Sequence, residues 1–139
     1  MKIIVVDTNI IFSALRSKNS VIRNRLKRKH YTFYAPRFLF VELFKHKERI
    51  LKNSFASEDE VLNLLSSVLH SINFINEDFI STSLYMQAYL LCKDIDEKDT
   101  SFIAMALALE CEIWTRDEEL KNGLKAKGFD RFIDEQDFD

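Results

Sequence analysis

Apolar residues come in short bursts along this chain, and the spacing within each burst predicts its element. Residues 2–6, Lys-Ile-Ile-Val-Val, form a continuous β-branched run, the pattern of a strand covered on both faces. Asp7-Thr8-Asn9 follows at once, three polar residues suited to ending a strand and capping a helix. Residues 10–15 begin that helix. Residues 19–29 read as a second helical piece with Val21, Ile22 and Leu26 on its apolar side. Residues 31–35 alternate as a strand. Pro36 suits the first turn of a helix that runs on through Phe38 to Phe44. Ser57-Glu58-Asp59-Glu60 starts another helix, continued by Val61, Leu62, Leu64, Leu65 and Val68 at helical spacing. A strand is expected at 71–75 and a helix at 78–92. Residues 99–110 form a strongly amphipathic helix with Phe102, Ile103, Ala106 and Leu109 facing inward. A short strand at 112–115, a helix from about 117 to 127 and an edge strand at 131–134 complete the series. Strands alternating with helices predict an α/β fold around a parallel sheet. In such sheets, sites form beyond the carboxyl ends of the strands.

Composition bounds the class. With 2 Gly and 1 Pro in 139 residues, long loops are not expected, and the length predicts one compact domain over residues 1–139. No charge-free apolar stretch is long enough to span a membrane. The first acid, at position 7, comes too early for a signal peptide. A cytoplasmic protein without membrane contact is expected. Cys92 and Cys111 lack metal-ligand spacing and sit in apolar patterns, so buried reduced thiols are expected. The net charge of −2 is unevenly spread. From Thr8 to Val41 there is no acid, while Arg16, Lys18, Arg23, Arg25, Lys27, Arg28, Lys29 and Arg37 all fall there. The rest of the chain is correspondingly acidic. A basic segment on an acidic body is either a phosphate-binding footprint or a solvated helix face.

Four carboxylates lie at or near the ends of apolar runs: Asp7, Glu42, Asp99 and Asp117. Asp7 and Asp117 each follow a strand and would project from the same sheet edge, although each also suits a helix N-cap. Glu42 interrupts a run of six apolar residues, with Phe38, Leu39, Lys45 and His46 one turn away. Such a local conflict in patterning marks a functional site or a salt bridge. Asp99 opens the face by which its helix packs on the sheet, and Asp96 lies three residues before it, on the same face or just behind. Four acids brought together repel one another, and a divalent cation is the usual remedy. The three histidines are isolated in sequence and no His/Cys cluster suits zinc, whereas Mg²⁺ and Mn²⁺ want hard oxygen ligands. A metal held by acids beside a basic segment suits phosphodiester hydrolysis. Arg16, Lys18, Arg23, Arg25, Lys27 and Arg28 would bring in the RNA backbone. A receiver or dehalogenase-type phosphotransfer protein also puts Asp after a strand, but Asn at position 9 counts against the latter.

These residues match a family pattern. Val5-Val6-Asp7-Thr8-Asn9, Phe40-Val41-Glu42, the stretch from Asp94 to Ala104 and Trp114-Thr115-Arg116-Asp117 together resemble the PIN domain over nearly the whole chain. The resemblance is to the small prokaryotic stand-alone nucleases that include VapC-type toxins. It implies a three-layer α/β/α sandwich around a mainly parallel sheet of four or five strands. It also implies that Asp7, Glu42, Asp99 and Asp117 coordinate Mg²⁺ or Mn²⁺. Thr8 or Asn9 and Thr115 would assist through hydrogen bonds. The implied activity is metal-dependent endoribonuclease action by a metal-activated water, in the toxin of a toxin-antitoxin pair. A small antitoxin protein and a homodimer are implied partners. The chain departs from the compact VapC pattern at the third acid, so Asp96 and Asp99 both stand as candidates there. The contrasting reading is a PIN-like RNA-binding or regulatory module without catalysis.

Overall fold

The computed structural model describes residues 2–16, 21–52 and 57–138. Ile4, Val5 and Val6 of β1 (Lys2–Val6) are fully buried, so both faces of this strand are covered, as its unbroken apolar run requires. β2 (Tyr31–Pro36), β3 (Ile72–Ile75) and β4 (Glu112–Trp114) join it in an all-parallel sheet of order β3-β2-β1-β4. The chain therefore builds outward from β1 to β3, then crosses back to add β4 on the other side of β1. The strand order reverses between β1 and β4, and a crevice opens beyond the carboxyl ends of strands at such a point.

The helices are α1 (Thr8–Arg16), α2 (Val21–Leu26), α3 (Phe38–Lys45), α4 (Lys47–Lys52), α5 (Glu58–His70), α6 (Thr82–Cys92), α7 (Thr100–Leu109) and α8 (Glu118–Ala126). α7 packs on β1, β2 and β4 and is itself backed by α6, so its middle, from Phe102 to Ala106, is buried all round. Phe33, Trp114 and Phe138 meet in an aromatic cluster, with Phe33 5.8 Å and Phe138 4.7 Å from Trp114.

Several expected boundaries move. The helix expected at 19–29 is described only as Val21–Leu26, and residues 19 and 20 lie outside the described residues. The basic residues after it form a turn into β2. Pro36 ends β2 rather than opening α3. α4 had no predicted counterpart. The helix expected from residue 78 begins at Thr82, because the Ser81 hydroxyl accepts from the Leu84 N–H at 3.2 Å and caps it there. The expected edge strand at 131–134 reduces to one bridge, Phe132 to Ile113. Cys92 is buried, Cys111 half-buried, and both are free thiols.

Candidate metal centre

The register of β1 on β4 aligns Val6 with Trp114, which sets Asp7 and Thr115, one position further on, side by side at the switch point. The Asp7 N–H continues the ladder to the Trp114 carbonyl at 3.1 Å. Thr115 Oγ1 donates to Asp7 Oδ2 at 2.6 Å and accepts from the Asp117 N–H at 3.1 Å. The backbone N–H groups of Asn9 and Thr8 also support the Asp7 carboxylate. Asp7 is nonetheless buried, and desolvation, with Asp117 adding like-charge repulsion, holds its pKa above the usual carboxylate range.

Glu42 reaches the same place from α3. Its Oε1 accepts from Thr8 Oγ1 at 3.1 Å. Partial burial first, then Asp7 and Asp96, raise its pKa, with the Thr8 hydrogen bond and, less, Lys98 opposing. Asp99, at the entry to α7, is buried, and its pKa is pushed up to about 8 by desolvation and by Asp7, Asp96, Asp117 and Glu42. Asp99 therefore feels all four other acids, Asp7 feels Asp117, and Glu42 feels Asp7 and Asp96. Asp117 is the N-cap of α8, accepting from the Leu120 N–H at 3.0 Å through Oδ1. The capping role and a place in the acid group coexist, because a carboxylate has two oxygens.

Burial separates the two acids left open at the third position. Asp99 is enclosed, whereas Asp96 is exposed at the mouth and caps a turn by accepting from the Lys98 N–H at 3.0 Å. Asn9 is exposed and serves Asp7 through its backbone; the side-chain contact to Glu42 belongs to Thr8.

A metal ion fits this donor set. Asp99 Oδ2 is buried with no hydrogen-bond partner, an oxygen left without compensation. Every candidate ligand is a hard oxygen, which suits Mg²⁺ or Mn²⁺ over zinc. Among the described residues no three Asp, Glu, His or Cys groups stand close enough to share one ion as they are. The acids line a common space without forming a closed ligand shell, as mutual repulsion dictates.

Of the predicted cationic rim, Lys27 and Arg28 do not lie beside the acids. Lys27, Arg28 and Lys29 precede β2, and the His30 carbonyl accepts from the Lys2 N–H at 2.9 Å. They thus sit at the amino-terminal edge of the sheet, a strand length of about 16 Å from Asp7. Arg16 ends α1, the helix that Thr8 begins at the site. The Arg23 guanidinium donates to the Ala14 carbonyl. Arg25 is committed to Glu135 at 3.1 Å and lies over the Phe138 ring. Lys18 lies outside the described residues.

A different set of cations flanks Glu42. His46 packs edge-on against Phe12 at 5.8 Å, and desolvation, Arg49, Lys45 and Lys98 together lower its pKa. Lys98 also acts on Glu42. Lys45, Arg49 and Lys98 thus gather around His46, one turn along from Glu42. The spacing of Lys45 and His46 from Glu42 was the available signal; Lys98 joins them only through the fold.

The family model described as PIN domain matches residues 5–136. No curated protein matches the chain. In structure the chain resembles one from a crystal structure of VapBC2 from Rickettsia felis bound to a DNA fragment from their promoter. The two share 18% identity over 94% of this chain and 96% of that one, with a TM-score of 0.68. That likeness concerns the fold: a parallel sheet flanked by helices on both faces.

Proposed function

The chain belongs to the PIN-domain family, and from that premise we propose that it is a metal-dependent endoribonuclease, the toxin of a toxin-antitoxin pair, built as one domain. The observation that carries this reading is the buried, unpartnered Asp99 Oδ2, on a carboxylate that feels the four other acids. Asp7, Glu42, Asp99 and Asp117 would hold Mg²⁺ or Mn²⁺, with Asp96 at the mouth. When bound, the ion supplies a water of lowered pKa and charge neutralisation at the scissile phosphate.

The protein's own groups set the stage. Thr115 and the backbone N–H groups of Thr8 and Asn9 fix the Asp7 carboxylate, and Thr8 orients Glu42. Lys45, Arg49 and Lys98 draw the phosphate backbone of an RNA strand toward acids that would otherwise repel it. The antitoxin rests on the fold shared with the VapBC2 chain. It would need apolar surface, and Val41 and Phe44, flanking Glu42 on α3, are large apolar residues left exposed. A homodimer would draw on exposed apolar residues elsewhere, such as Phe79.

Purified chain should cleave RNA with Mn²⁺ or Mg²⁺ and stop with EDTA. Asp7→Asn and Asp117→Asn should each cost on the order of 100-fold in rate. Asn still caps a helix, so these variants remove charge while keeping the local fold. Cleavage at the parent's rate by both variants would overturn the assignment, and EDTA-resistant cleavage would overturn the metal.

A further inference from the structure

Gly123 sits in the interior of α8, where Gly costs about 1 kcal/mol relative to Ala. A Cβ at this position would lie 2.5 Å from Cδ1 and 2.9 Å from Cγ1 of Ile95. A Cβ there would force the half-buried Ile95 side chain to shift or change rotamer, so the glycine is what lets Ile95 seat against the helix in its present conformation. One turn further on, the Lys127 ammonium donates to the Leu91 carbonyl at 2.9 Å and to the Asp94 carboxylate. Lys127, the C-cap of α8, follows Gly123 by one turn on the same side. Through that side the helix holds the segment from Leu91 to Ile95.

That segment leads straight into two of the acids. The N–H groups of Ile95 and Asp96 both donate to the Cys92 carbonyl at 2.9 Å, and the Asp99 N–H donates to the Asp96 carbonyl at 3.1 Å. The run from Cys92 to Asp99 is therefore tied by consecutive backbone hydrogen bonds, with Ile95 one residue before the first of the two acids. Meanwhile α8 carries Asp117 as its own N-cap. One helix thus presents one acid at its tip and docks the loop bearing two others along its side.

We infer that Gly123 is a positioning residue: its seat for Ile95, together with the Lys127 clamp, sets the placement of Asp96 and Asp99 relative to Asp117, and with it the affinity of the acid group for a divalent cation. The inference rests on reading the acids as a metal site.

The test is calorimetric titration of Mn²⁺ into the metal-free full chain, alongside thermal unfolding without metal. Gly123→Ala should weaken Mn²⁺ binding on the order of tenfold, the scale of a lost supporting contact. Replacing Ile95 by Ala in that background removes both crowding atoms, Cδ1 and Cγ1, and should restore most of the affinity. Lys127→Met, which frees the same loop from its second anchor, should weaken binding in the same direction and covers the case that Gly123→Ala disturbs folding. If Gly123→Ala behaves as an ordinary helix substitution, with a higher unfolding midpoint and parental affinity, the inference fails while the metal site stands. A double variant as weak as the single one also sinks it. If the parent binds no Mn²⁺, the metal-site reading falls, and this inference with it.

Discussion

Asp99 carries a buried carboxylate oxygen without a partner and a pKa pushed up to about 8 by burial and by the neighbouring acids. In the unfolded chain the same group ionises near 3.8. Between those values the folded state holds a proton that the unfolded state does not. Its stabilising contribution is therefore complete below the unfolded value and is lost as pH rises through about 8. Asp7 and Glu42, also shifted upward, act with the same sign. The metal-free protein should accordingly show a falling unfolding midpoint between about pH 5 and 8. Asp99→Asn should flatten part of that fall and raise the midpoint at pH 8, at about 2–4 °C per kcal/mol relieved. Parent and variant with identical profiles would show that Asp99 does not bear the strain. Glu135 behaves oppositely. It accepts from Arg116 at 2.6 and 2.9 Å, from Trp114 Nε1 at 3.0 Å and from Arg25 at 3.1 Å, and these bonds draw its pKa down to about 2. Its contribution is present above the ordinary carboxylate pKa and is lost as pH falls through about 2. Glu135→Gln should destabilise by about 1–3 kcal/mol at pH 7, with the difference from the parent vanishing in strong acid. An equal difference at both pH values would contradict the clamp. The two acids were not equally legible. Asp99 announced itself by opening an apolar helix face. The partners of Glu135 lie 19, 21 and 110 residues away, and no local pattern connects them.

At the scale of elements, α7 ends on Glu110 in the left-handed conformation, φ 52° and ψ 49°. The Cys111 N–H then closes the helix by donating to the Ala106 carbonyl at 3.2 Å. Glycine is the usual residue at such a position, and a side chain there costs roughly 1–2 kcal/mol. Glu110→Gly removes that strain and adds some unfolded-chain entropy, so a net gain of about 0.5–1 kcal/mol is expected, read as a higher denaturant midpoint with unchanged slope. A lower midpoint would mean that the Glu110 side chain makes contacts that outweigh the backbone. The helix itself was readable from its long run of apolar residues, though its middle proves buried all round rather than amphipathic as expected, and β1 because an unbroken β-branched run has few other fates. Segments without a repeating face were not readable. Residues 131–134 carry one pairing position only, Phe132, since the Arg131 carbonyl and the Ile133 N–H both bond to Ile113 and the chain then turns away. α4 is short and has no buried residue, so no periodic signal existed to find it.

At the scale of the molecule, what the sequence left open was the lateral order of strands. Hydrophobic pattern identifies a strand but not its neighbours, and the reversal between β1 and β4 is what makes Asp7, Thr115 and Asp117 adjacent. The same order decides which cations face the acids. In a parallel sheet every strand starts at one edge and ends at the other. Lys27, Arg28 and Lys29, immediately before β2, must therefore lie at the edge opposite Asp7, however basic the segment looks in a linear reading. Lys98, in the turn before α7, acts on Glu42, and Lys45 and Arg49 join it around His46, one turn from Glu42 on α3. If a single RNA strand crosses the acids as proposed, these three carry its electrostatic contacts. For single strands, each phosphate contact contributes about −0.7 to the slope of log K against log salt. Replacing all three by Ala in an Asp7→Asn background, where cleavage is suppressed, should flatten that slope by about 2. The companion variant with Ala at 27, 28 and 29 should leave the slope close to the parent's. Fluorescence titration of one labelled oligonucleotide across a range of salt concentrations separates the two sets. The reverse outcome would route the strand along the opposite edge and detach RNA binding from the acids altogether.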